Sequence, residues 1–216
     1  LAVLAMAGCQ EKEGPETPVA DVDKTIQVTG VDWAADDVVG VYTTANQNLE
    51  FKNSDAGFTG KIAHDSKVLA AYYPYVSGAN AAVNAFPVAI PTEVAAGAAL
   101  PVFYAGAADE SENVNLVQMF SAIKVSFTNL DKFTYASEAV SSITVKAAKP
   151  FAGAFTADLS AQTLTAGEGA VDAVKVSLAA NTVLSAETSV GFAAAPVLKN
   201  GDEVEVALEI AGMNLS

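Results

Sequence analysis

The sequence predicts an all-β protein of two tandem β-sandwich domains, and three observations carry that prediction. Short apolar runs recur along the chain between clusters of Gly, Asn, Asp and Ser, while helical periodicity is scarce. The 216 residues are 51% hydrophobic, which is ample for a core and suits one large or two small β domains. The run Val68-Leu69-Ala70-Ala71-Tyr72-Tyr73-Pro74-Tyr75 is too short for an independent helix and too apolar for a loop. It reads as a central strand with Leu69, Ala71 and Tyr73 on one face and Val68, Ala70 and Tyr72 on the other. Pro74 has no amide to donate to a ladder, so it marks the end of that strand or an edge.

The N-terminal stretch Leu1 to Met6 is apolar but too short to span a membrane, as expected of a signal-peptide remnant over residues 1–8. Met6-Ala7-Gly8-Cys9 resembles a lipobox, with small residues before the cysteine, so cleavage is expected between Gly8 and Cys9 and a lipid on Cys9. Cys9 is the only cysteine, which excludes an internal disulfide. Residues 9–23 are polar and acidic, carry Pro15 and Pro18, and read as a tether.

A first sandwich is expected over 24–133. Its strands run near Thr25 to Val28, Asp37 to Tyr42, Leu49 to Phe51, Gly60 to Ile62, Val68 to Tyr73, Phe86 to Ile90, Leu100 to Ala105, Val114 to Phe120 and Ala122 to Phe127. The alanine-rich remainder of Gly78 to Gly97 reads as loop. The expected core of this unit is Val39, Val41, Leu69, Ala71, Tyr73, Phe103, Ile123 and Val125. Trp33 is expected to plug a core edge rather than to serve as a sugar platform. Thr128 to Ser137 reads as a crossover into a second sandwich over 138–216, incomplete at its C-terminus. Its strands are expected at Ser142 to Ala147, Ala154 to Leu159, Ala173 to Leu178, Val190 to Ala194 and Val204 to Ile210.

The chain carries a formal charge of −14 and no arginine, a balance that repels phosphate backbones and excludes nucleic acid as a partner. His64 is the only histidine; without a Cys or His partner it is expected in a solvent-facing turn and not at a metal. The acidic stretch Asp109-Glu110-Ser111-Glu112-Asn113 lacks the glycine and ligand spacing of an EF-hand and reads as a solvated loop. No nucleophile elbow, P-loop or dinucleotide fingerprint occurs. The expectation is therefore no enzyme, no cofactor and no metal.

Trp33, then Asp37-x-Val39-Gly40-Val41-Tyr42, then Ala71-Tyr72-Tyr73-Pro74-Tyr75, then Phe103-Tyr104-Ala105 follow one another in a fixed order. Met119 to Val125, Ser142 to Val145 and Phe151-Ala152-Gly153 continue it. In this order the chain resembles the fimbrillin family of Bacteroidota over roughly Thr25 to Ile210. The resemblance implies Greek-key, transthyretin-like sandwiches and a surface lipoprotein acting as a pilus subunit, anchor or tip. It implies other pilus subunits as partners by β-strand addition, and the outer membrane through the lipid on Cys9. The alternative is a monomeric surface adhesin for a glycan or a host or bacterial protein. The best-known members of the family are matured by an arginine-specific protease, which could not cut within these residues. A cut near Lys12 or Lys24, or an uncut and anchored chain, are the two remaining outcomes.

Overall fold

The computed structural model describes residues 20–132 and 134–210. Its first half supplies β1 (Val22–Ile26), β2 (Val28–Thr29), β3 (Val38–Thr43), β4 (Leu49–Ser54), β5 (Gly57–Ile62) and β6 (Val68–Tyr73). There follow β7 (Phe86–Ile90), β8 (Glu93–Ala95), β9 (Tyr104–Ala107), β10 (Val114–Asn115), β11 (Val117–Gln118) and β12 (Ser121–Ser126). The second half supplies β13 (Val140–Ala147), β14 (Ala152–Asp158), β15 (Thr163–Val171), β16 (Ala173–Ser177), β17 (Ser189–Ala194) and β18 (Val204–Ile210). The described chain is all-β, with one short 3-10 turn at Leu130–Lys132 in the expected crossover.

A seven-stranded sheet in the order β1-β5-β4-β3-β6-β9-β11 dominates the first half, and β10 pairs with β2 beside it. The second half holds β18-β13-β16-β8, β15-β14-β7 and the pair β12-β17. Hydrogen bonding therefore crosses the boundary expected between 133 and 138. β7 pairs with β14, β8 with β16 and β12 with β17, although all three precede that boundary in sequence. The polar stretch before Ser137 marks a loop, whereas sheet membership follows long-range pairing that linear composition does not encode.

Two buried clusters lie on opposite faces of the large sheet. One gathers Ile26, Val39, Val41, Phe51, Phe58, Ile62, Ala71 and Leu116 under a cover that includes Trp33. The other joins Tyr42, Ala70, Tyr72 and Phe103 to Ile143, Phe151, Phe155, Val176 and Phe192, so the two halves share one core.

The central strand β6 ends at Tyr73, directly before Pro74, but its alternation slips. Tyr42 faces Ala70 and Thr43 faces Val68, which leaves Leu69 as an extra residue in a bulge. Leu69 is 39% exposed, while Val68 joins the cluster of Ala71 and Tyr73. The expected core is corrected on this point. Tyr73, Ile123 and Val125 are half-buried, because Tyr73 lies under a thin cover and β12 is an edge strand. Val39, Val41, Ala71 and Phe103 are buried as expected.

Two strands were not anticipated. β15 contains Gly167 and Gly169 and is exposed or half-buried throughout, so no apolar face announces it; its pairing with β14 makes it a strand. β8 lies in the alanine-rich stretch read as loop and is held by parallel pairing with β16.

Candidate functional site

The residues that carry the sequence resemblance do not form one site. The β3–β6 pair distributes them between the two faces of the large sheet. Gly40 stands opposite Tyr72 in the register. A Cβ on Gly40 would lie 2.0 Å from the Tyr72 ring, so glycine is required for that ring to lie across β3. Tyr72 packs against Phe86 at 4.5 Å, Phe103 at 6.0 Å and Tyr42 at 6.2 Å between ring centroids. Its hydroxyl donates to Asn48 Oδ1 at 2.5 Å and accepts from the Val76 amide at 3.1 Å. Burial, chiefly, pushes that hydroxyl up to about 12. Among the described residues the buried Tyr42 hydroxyl has no hydrogen-bond partner, and burial raises its pKa as well. Tyr75, after the cis Tyr73-Pro74 bond, is half-buried against the same cluster.

On the opposite face lie Val41, Tyr73, Tyr104 and Trp33. Trp33 meets Phe58 at 4.7 Å and Tyr73 at 5.2 Å, both edge to face, and its Nε1 donates to the Val28 carbonyl at 2.8 Å. Asp37 ties the turn that carries it. Asp37 Oδ2 accepts from the Ala34 amide at 2.7 Å and Oδ1 accepts from the Tyr73 hydroxyl at 3.0 Å. That hydrogen bond to Asp37, followed by burial, raises the Tyr73 pKa. Asn53 closes the arrangement by donating from Nδ2 to the Ala34 carbonyl at 2.7 Å. Asp37 is thus a structural brace for the segment that presents Trp33.

Trp33 plugs the core edge as expected, but part of it remains exposed. With Ala35, Asn53, Ser54 and Asp55 it lines a surface hollow of about 470 Å³. Asn53, Ser54 and Asp55 end β4 and form its hairpin with β5. The sequence marks them only as turn-formers; nothing local links them to a tryptophan 20 residues earlier. A second, more apolar hollow of about 200 Å³ lies between Pro74, Val76, Phe86, Pro87, Pro101 and Val102.

The acidic loop is ordered by its own groups. Asp109 Oδ1 accepts from the amides of Ser111 and Asn113 at 2.8 and 2.9 Å. Glu112 reaches out of the loop to accept from Lys24 Nζ of β1 at 3.0 Å and from the Val68 amide at 2.8 Å. The Val68 amide and then the lysine hold its carboxyl below the usual carboxylate range against the opposing effect of burial. Among the described residues no group of three or more His, Cys, Asp or Glu could hold a metal ion. His64 is exposed in a turn beside Asp65, as expected. No described helix is long and apolar enough to cross a membrane. Gly8 and Cys9 lie outside the described residues.

No family model matches the chain, and no curated protein matches it. Among solved structures, one similar to it is the crystal structure of a "putative cell adhesion protein" from Bacteroides uniformis. That structure is 13% identical, aligns over 87% of this chain and 80% of its own, and has a TM-score of 0.49. A likeness of this degree assigns neither family nor function.

Proposed function

We propose that this chain is a surface structural protein of the fimbrillin type, anchored in the outer membrane through a lipid on Cys9 and joined to other pilus subunits by β-strand addition. One observation supports the reading above the others. Among the described residues β18 is an edge strand, and its partner β13 sets Val206 opposite Val145 and Val204 opposite Ala147. Paired residues point to the same face, so Val204 and Val206 project on the side where Val145 and Ala147 are buried. Yet Val204 is 50% and Val206 40% exposed, whereas Ile210 at the other end is 3% exposed. Among the described residues this edge offers an unpaired backbone and apolar side chains that an incoming strand would cover. Covering a valine fully contributes about 1.5–3 kcal/mol.

In this reading the chain has no catalytic role and no cofactor, and its charge of −14 keeps it from nucleic acid. Lys24 is a poor protease target because it is tied to Glu112 within β1, so an uncut chain is favoured over a cut at that lysine. Immunogold electron microscopy of cells tests assembly: labelled filaments are expected, and Val206→Lys should stop incorporation by placing a charge on the edge. Surface-extracted protein that stays monomeric, with no labelled filaments, would refute it. An alkyne fatty acid should label the parent and not Cys9→Ala; equal labelling would exclude the anchor. The rival reading, a monomeric adhesin for a surface glycan or protein, is favoured by a separate feature, the Trp33 hollow.

A further inference from the structure

We propose that the Trp33 hollow is a binding site for neutral saccharides. A pyranose ring has an apolar C–H face and a rim of hydroxyl donors. A site for it needs an aromatic surface and hydrogen-bond acceptors beside that surface, held before the ligand arrives. The hollow of about 470 Å³ lies within the roughly 300–1,000 Å³ range of small-ligand clefts, and the half-buried Trp33 lines it.

The tryptophan is fixed. Its Nε1 is committed to the Val28 carbonyl at 2.8 Å, and Phe58 and Tyr73 meet it at 4.7 and 5.2 Å. A ring so held has little rotamer freedom left to lose on binding. The supporting turn is fixed as well, by Asp37 to the Ala34 amide and by Asn53 Nδ2 to the Ala34 carbonyl. The second bond orients Asn53: one of its two N–H donors is engaged with the Ala34 carbonyl, which leaves its oxygen and one N–H to meet a ligand hydroxyl.

Beside it Asp55 is exposed and makes no hydrogen bond or ion pair among the described residues, so both carboxylate oxygens can accept. Ser54 Oγ donates to the Gly57 carbonyl at 2.5 Å, lies 3.4 Å from Thr59 Oγ1, and keeps one lone pair to accept with. The lining is therefore rich in acceptors and calls for a ligand rich in hydroxyl donors. No lysine lines it. Asp55 stands in the wall, exposed Asp32 and Asp36 flank Trp33 in sequence, and the chain carries −14. Sialylated, uronic or sulfated sugars would be repelled, and neutral ones would not.

Trp33 is the only tryptophan, so intrinsic emission reports this site alone. The probes are lactose, maltotriose and N,N′-diacetylchitobiose, with 3′-sialyllactose as the acidic comparator. At least one neutral probe should change the emission saturably, with a Kd of about 0.1–10 mM. Asp55→Ala should weaken that binding about tenfold, equivalent to about 1.4 kcal/mol, with an unchanged melting temperature. Asp55 is exposed and unpaired, so this variant keeps the fold. Saturation-transfer NMR on Trp33→Phe supplies a second readout, in which the sugar signal should fall. Three results would each overturn the proposal: no saturable change with any neutral probe, equal affinity in Asp55→Ala, or tighter binding of 3′-sialyllactose. None of them bears on strand addition at β18, which filament labelling reads separately.

Discussion

Tyr72 and Tyr73 are adjacent in sequence, and the large sheet sends them into different surroundings. Tyr72 is 0% exposed, lies over Gly40 and joins an aromatic group that runs through Phe86 and Phe103 into the core shared with the second half. Tyr73 is half-buried under the Trp33 cover and reaches Asp37 at its edge. The difference shows that one face of this sheet holds the two halves together while the other carries a thin lid with an open hollow. The saccharide site proposed above lies on the lid, where side chains are both held and exposed.

Truncation should separate the two faces most strongly. Tyr72→Ala should destabilise the protein by about 3–5 kcal/mol, because a fully buried aromatic is lost and its cavity opens onto the shared core. Urea unfolding reads this directly, and a loss no larger than that of Tyr73→Ala would erase the distinction. Gly40→Ala should cost about 1–3 kcal/mol by pushing the Tyr72 ring aside. The same change made in Tyr72→Ala should cost much less, because the ring it strikes is gone; additive effects would mean that backbone, not Tyr72, sets the need for glycine.

Tyr73→Ala should cost about 2 kcal/mol, as expected for a half-buried ring, and should alter Trp33 emission by removing its neighbour. An unshifted emission spectrum would show that Tyr73 does not fix the tryptophan. The smallest effects belong to the two hydroxyls on the shared-core face. Tyr72→Phe should cost about 1 kcal/mol by removing the bond to Asn48, while Tyr42→Phe should be neutral or slightly stabilising, since its hydroxyl has no partner among the described residues. The Tyr72 pKa is raised in the fold from 10.0 to about 12. The folded state therefore favours the neutral phenol. Its contribution is fully present below pH 10 and is lost as pH rises toward 12, where the unfolded chain ionises first. Tyr72→Phe should flatten that alkaline decline, and an unchanged pH profile would assign the decline to other groups.

The sequence by itself determined the all-β class and the positions of most strands. Apolar runs bounded by turn-formers have few other ways to bury themselves, and Pro74 stops β6 where its missing amide requires. It also marked Trp33, Gly40 and the tyrosines as residues of interest, because they stand in the order of motifs that carries the family resemblance. Tertiary structure alone decided which sheet each strand joins. β7, β8 and β12 find partners beyond residue 138, since pairing depends on edges that form only when distant segments meet. It decided the phase of β6 as well, for the bulge at Leu69 arises from the register with β3 and has no signature within the strand. The hollow beside Trp33 is a product of the same kind: the turn at 33–37 and the β4–β5 hairpin are separate loops in the chain, and only the folded sheet brings Trp33 beside Asn53, Ser54 and Asp55.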